Sequence, residues 1–267
     1  GHEVEEAGQF LDRLRTLVEA TGGDPPLPPR ASPAYLAELG AYSGNQLVRE
    51  LVARREEIKR DIDRWTAIKA KIEERKPAWD ALQHLISHAE GFEGLLEIKT
   101  EVAAIRENRS LLNDPDPVEP LLTDLRRGLR EALKAGTARV EEARQDVLFA
   151  LDADPAWHRL DEEQRAGLIQ EHYLNAPPPL RMGTDEEIVE HLRKTPLPSF
   201  DGRVMLLRGA LERIQVEMAK ILEPETVVVS LGAPVTLKTL DDLDAYLEGV
   251  RRRAMAELEK GNPVMLK

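Results

Sequence analysis

His84 and His88 stand one helical turn apart, a spacing that lets two imidazoles face one divalent cation. Two histidines alone make an incomplete centre, and no third ligand follows at a matching interval. A surface position opposite Leu82, Leu85 and Ile86 is the plainer reading, so no metal site is expected. Arg165 and His172, with six residues between them, pair a fixed cation with an acid–base group. A chain rich in arginine produces that spacing easily, and a solvated helix face is the plainer reading. Arg251-Arg252-Arg253 is the densest basic cluster. On a helix its side chains splay over a wide arc. Near a helix C-terminus the positive charge suits the dipole, leaving a phosphate or partner contact as the functional alternative.

Composition narrows the classes further. The formal charge of −12 and the isoelectric point near 5.1 argue against general nucleic-acid binding. No cysteine is present, which excludes disulfide scaffolds and thiolate metal sites. Aromatic residues make up 4% of the chain, fitting helices packed by Leu, Ile, Val and Ala. No apolar run approaches the roughly 20 residues of a membrane span. The expectation is a cytoplasmic domain without cofactor. Gly1-His2 has the look of a protease scar.

Helical periodicity dominates the elements. Val4 to Ala20 places Phe10, Leu11, Leu14, Leu17 and Val18 on one side, and Gly22 to Pro29 then reads as a linker. Ser32-Pro33 suggests a cap followed by a first-turn proline. Leu51, Ile58, Trp65 and Ile72 recur at heptad distance, a seam suited to coiled-coil packing. Trp65 and Trp79 read as anchors between helices, since no basic groove surrounds them. A second long helix, Val118 to Leu151, carries a three-four stripe with Gly136 and Ala143 in its middle, where backbones can approach closely. Two rods of about 50 Å each suggest an elongated helical hairpin or coiled-coil bundle. Asp154-Pro155 caps a turn at which Trp157 would lock a corner. Asn175 to Gly183 is proline-rich, and Thr184 with Glu187 forms a capping box beyond it. The expected organisation is an N-terminal helix and linker over 1–31, a helical bundle over 32–176 and a smaller domain over 177–267.

The last forty residues change character. Thr226-Val227-Val228-Val229-Ser230 is a short β-branched run bounded by Pro224 and Gly232, which favours a strand. Thr239 with Asp242 caps a helix whose Leu240, Leu243, Leu247, Val250, Ala254 and Leu258 form an apolar stripe. Gly261 suits a left-handed stop, and Pro263-Val264-Met265-Leu266 follows as a second strand. Strand, helix and strand in this order favour a parallel crossover. The fold class is therefore mainly α with a small C-terminal βαβ element. Val264 and Leu266 are expected to cover the Leu243, Leu247, Val250 face, with Met265 turned away.

These residues carry a resemblance. Val227-Val228-Val229-Ser230, Thr236-Leu237-Lys238-Thr239, Leu243, Asp244, Tyr246-Leu247 and Gly261-Asn262-Pro263-Val264 resemble the extreme C-terminus of the large P-loop ATPases of BREX phage defence, the BrxC and PglY proteins. Asp116-Pro117-Val118, Leu129-Arg130-Glu131-Ala132-Leu133 and Asp154-Pro155-Ala156-Trp157 agree with it upstream. The resemblance implies a C-terminal region whose ATPase lies upstream, because no Gly-x-x-x-x-Gly-Lys-Ser/Thr phosphate loop occurs here. Gly22-Gly23-Asp24-Pro25 lacks the lysine. Partners would be other BREX or defence-system proteins, or further copies of the chain. Arg251, Arg252, Arg253, Val264 and Leu266 are the candidate interaction residues of a non-catalytic module. The alternative rests on a second likeness: the Arg165 and His172 spacing is similar to that of HEPN ribonucleases, which implies metal-independent RNA cleavage.

Overall fold

The computed structural model describes residues 2–30, 32–232 and 234–267; Gly1, of the Gly1-His2 pair, lies outside them. Among the described residues the chain is mainly helical, with one small parallel sheet near its C-terminus. It divides into two compact units: Gly1–Glu141 with Pro177–Val204, and Glu142–Ala176 with Met205–Lys267.

Unit one holds two hydrophobic clusters. The first is built by α1 (His2–Glu19), α2 (Ala34–Leu39), α3 (Gly44–Ala53) and the beginning of α4 (Arg55–Ile86). Leu11, Leu14 and Val18 of α1 recur at three- and four-residue steps and bury against Leu36, Leu39, Leu47, Ile58 and Trp65. The heptad seam is interrupted at Arg54, whose φ of −98° and ψ of 12° separate Leu51 in α3 from Ile58 in α4. Helix α2 starts one residue later than a serine cap would place it. Pro33 is the N-cap, in extended conformation, without a side-chain hydrogen bond.

The second cluster takes Trp79, Leu82 and Leu85 from the end of α4 and Ile98, Val102 and Ile105 from α5 (Leu95–Glu107). It also takes Leu122, Leu125, Leu129 and Leu133 from α6 (Glu119–Asp152), and Ile188, Val189 and Leu192 from α8 (Asp185–Lys194). The two long helices thus share a core over part of their lengths, while α1 to α3 cover the first half of α4. Pro77 lies inside α4, and the helical residues run on through it. Gly136 of α6 has a steric role: an added Cβ would overlap the ring of Phe200, which opens α9 (Ser199–Arg208).

The domain limits expected from the prolines need correcting. The crossing between 176 and 177 coincides with a unit boundary, but residues 177–204 belong with unit one because Ile188, Val189, Leu192 and Phe200 bury in its core. Residues 1–31 belong there as well. The α1 stripe is buried, and the glycine-proline segment is fastened when Arg109 Nη1 donates to the carbonyls of Gly23 and Leu27 at 2.9 and 3.2 Å.

In unit two Ala143, Val147 and Leu151 of α6 are buried, with Trp157 in a 3-10 turn, Leu168 in α7 (Glu162–Glu171), and Ile214 and Met218 in α10 (Ala210–Ile221). Asp154 forms the expected corner: its Oδ1 accepts from Ala156 N at 2.9 Å and its carbonyl from Trp157 N at 3.0 Å. The chain then enters β1 (Val227–Val229), α11 (Leu240–Leu258) and β2 (Val264–Leu266). The strands pair in parallel, with Val227 opposite Val264, Val228 opposite Met265 and Val229 opposite Leu266. This is the βαβ order expected from the sequence.

Candidate interaction surface

The C-terminal βαβ element is held mainly by its backbone and its caps. Thr239 Oγ1 accepts from Asp242 N at 3.1 Å, and Asp242 Oδ2 accepts from the amides of Lys238 and Thr239 at 3.0 Å each. The Lys238 amide, then the Thr239 hydroxyl and amide, hold the Asp242 carboxyl below its ordinary range, because each hydrogen bond favours the charged form. At the other end Gly261 has φ +83°, a conformation that needs no accommodation for a Cβ only in glycine, and its amide donates to the Leu258 carbonyl at 3.0 Å. Asn262 then returns to the helix, its amide donating to Glu257 O and its side chain to Glu257 Oε2, each at 3.1 Å. Tyr246 ties helix to sheet by donating its hydroxyl to the Leu231 carbonyl at 2.8 Å.

Little apolar burial accompanies this. Val229 and Val250 are the large apolar side chains of the element that become buried, each 7% exposed. Among the described residues nineteen large hydrophobic side chains are exposed, and eleven of them lie between Val228 and Leu266. The apolar surface left uncovered on this element is large for its size. Of the α11 stripe only Val250 is buried, whereas Leu240, Leu247 and Leu258 are more than half exposed. A groove of about 590 Å³ runs beside α11, lined by Asp244, Leu247, Glu248, Val250, Arg251, Ala254 and Leu266. Val264 is half-buried as expected, but Leu266 is 53% exposed and so covers less of the helix than strand alternation suggested. Both outer edges of the two-stranded sheet lack a strand partner among the described residues.

Arg251, Arg252 and Arg253 are all exposed and spread around α11. Arg251 reaches Glu248 at 3.9 Å and Arg253 Nε donates to the Gly249 carbonyl at 3.3 Å, so they do not converge on one point. The structure also separates the contacts of Arg165 and His172. Arg165 Nε donates to its own helix, to Asp161 O at 3.4 Å, whereas His172 is buried at the end of α7 with Nε2 3.0 Å from Glu217 Oε1. His84 and His88 meet edge to face with ring centroids 5.2 Å apart. Partial burial first, then the Arg193 guanidinium and His84, lower the His88 pKa. A cation beside the pair would face that guanidinium, and no group of three potential ligands gathers among the described residues.

Two polar centres carry no local sequence signal. Arg75 is buried and donates to the carbonyls of Leu111, at 3.0 Å, and Asn113, and to Asp114 Oδ1 at 2.6 Å. It thereby gathers the corner that precedes α6, where Asp116 Oδ1 accepts from Val118 N at 2.8 Å. Lys71 first, then Arg75, depress the Asp114 pKa by hydrogen bonding the carboxylate. Arg126 forms a two-pronged pair with Asp185 at 2.7 and 2.8 Å, joining α6 to the first turn of α8. Partners 36 to 59 positions apart cannot be matched from a single sequence with many Arg and Asp residues.

The chain matches no known family model, no characterised protein and no solved structure. No helix among the described residues is long and apolar enough to cross a membrane.

Proposed function

We propose that this chain is a non-catalytic helical interaction and assembly module, with the C-terminal βαβ element as its docking surface. The observation that carries the reading is the concentration of exposed large apolar residues between Val228 and Leu266, on an element whose strand edges are open. The resemblance of those same residues to the end of the BREX ATPases supports a place in a cytoplasmic phage-defence assembly. Its partners would then be other components of that system or further copies of the chain. Phosphate-loop chemistry would be supplied by other sequence, and this region would neither bind nor hydrolyse ATP.

The test is truncation after Lys260, which removes β2. In a BREX-type ATPase carrying this region, the truncation should abolish assembly and phage resistance while ATP binding, measured by calorimetry, is retained. Unchanged assembly and resistance would make the βαβ element a structural end-piece and reject the docking role. RNA cleavage by the chain, lost on His172→Ala, would replace the reading with an enzymatic one.

A further inference from the structure

We propose that α11 pairs with α11 of a second copy of this chain, antiparallel about a two-fold axis beside Leu247. The inference rests on reading the βαβ element as a docking surface, and it names the occupant. Leu240, Asp244, Leu247, Arg251, Ala254 and Leu258 follow steps of four and three residues, which places them along one face of the helix. The face is uncovered: Leu240 is 78%, Leu247 52% and Leu258 56% exposed.

The order of charges along this face selects the partner. Asp244 and Arg251 lie on opposite sides of the point between Leu247 and Glu248, about 5 Å away along the axis in each direction. Two such helices running antiparallel about that point set Asp244 of each copy against Arg251 of the other. Leu240 meets Met255, itself 44% exposed, and Leu247 sits at the centre. A parallel pairing would stack Asp244 on Asp244 and Arg251 on Arg251. The face is therefore self-complementary in the one arrangement that a closed two-fold dimer requires. Among the described residues Arg251 has only an exposed contact to Glu248 at 3.9 Å, a weak restraint that leaves it available for the facing carboxylate.

Sedimentation equilibrium on the whole chain tests the pairing, with circular dichroism confirming that each variant stays helical. The wild type should dimerise. Asp244→Arg or Arg251→Asp alone places like charges opposite each other twice and should weaken the dimer about tenfold or more. The double variant Asp244→Arg/Arg251→Asp should restore it, and Leu247→Glu should leave a monomer. A wild type that stays monomeric overturns the inference, as does a dimer unmoved by the single reversals or one that the double swap fails to rescue. The docking role is judged separately by truncation after Lys260: a monomeric chain whose truncation still abolishes assembly loses the two-fold pairing and keeps the docking role.

Discussion

The α1 to α4 core of unit one and the C-terminal βαβ element are both made from amphipathic helix stripes, and they treat those stripes differently. In α1, Leu11, Leu14 and Val18 are each at most 5% exposed because α3 and α4 cover them. In α11 the equivalent positions Leu240, Leu247 and Leu258 are more than half exposed, and of the stripe only Val250 is buried. Two three-residue strands are too small to cover a 19-residue helix. An apolar stripe therefore has two possible meanings, a core or an interface, and the difference lies in whether the same chain supplies the cover. Side-chain capping also differs: the N-caps of α2, α3 and α4 make no side-chain hydrogen bond, whereas Thr239 and Asp242 close a capping box on α11. The βαβ element is well specified as backbone while remaining incomplete as a hydrophobic unit.

Substitutions should expose that contrast. The largest effect is expected at Trp65, fully buried between α1 to α3 and α4. Trp65→Ala should cost about 3–5 kcal/mol in denaturant unfolding; a loss under 1 kcal/mol would mean the site collapses freely or is loosely packed. Next comes Arg75→Ala, which strands the Leu111 and Asn113 carbonyls and should cost about 2–3 kcal/mol. Most of that penalty comes from the carbonyls, since Asp114 is solvated. Stability equal to wild type would show that water replaces the guanidinium.

In the βαβ element the order of effects reverses. Thr239→Ala removes the α11 cap and should cost about 1 kcal/mol, read by hydrogen exchange as faster exchange in α11 with α4 unchanged. If α4 exchange rose equally, the element would share the cooperative unit of the first region. Leu240→Gln, at a 78% exposed site, should alter unfolding by less than about 0.5 kcal/mol while weakening association. Comparable unfolding losses at Leu240 and Trp65 would erase the distinction between interface and core.

The smallest effect concerns alkaline pH. Burial first, then the hydrogen bond to Asp61, raises the Tyr35 pKa, so the folded state holds the phenolic proton more tightly than the unfolded chain does. The stability this contributes is fully present below the unfolded value, about 10, and is lost as pH rises above it. Tyr35→Phe should flatten that alkaline decline in thermal unfolding. An unchanged decline would assign it to other groups.

Local chemistry made several elements legible without coordinates. Thr184 with Glu187 and Thr239 with Asp242 form capping boxes because a hydroxyl and a carboxylate three positions apart meet the same free amides in any helix start. The Val227–Val229 strand followed from a β-branched run bounded by proline and glycine, the Val264–Leu266 strand from the short apolar run after the Gly261 stop and Pro263, and their parallel pairing from the helix between them. Periodicity likewise marked α4, α6 and α11 as amphipathic. Tertiary structure decided the rest. It divided the α4 stripe between two clusters, returned residues 177–204 to unit one and brought Arg75 to carbonyls 36 and 38 positions away. It also put Glu217, rather than Arg165, beside the His172 ring. The physical reason is range. Caps, turns and periodicity are settled by neighbours within about one helical turn, which a sequence displays in order. Which surface covers a stripe, and which carboxylate finds a given arginine, depends on segments that only folding brings together.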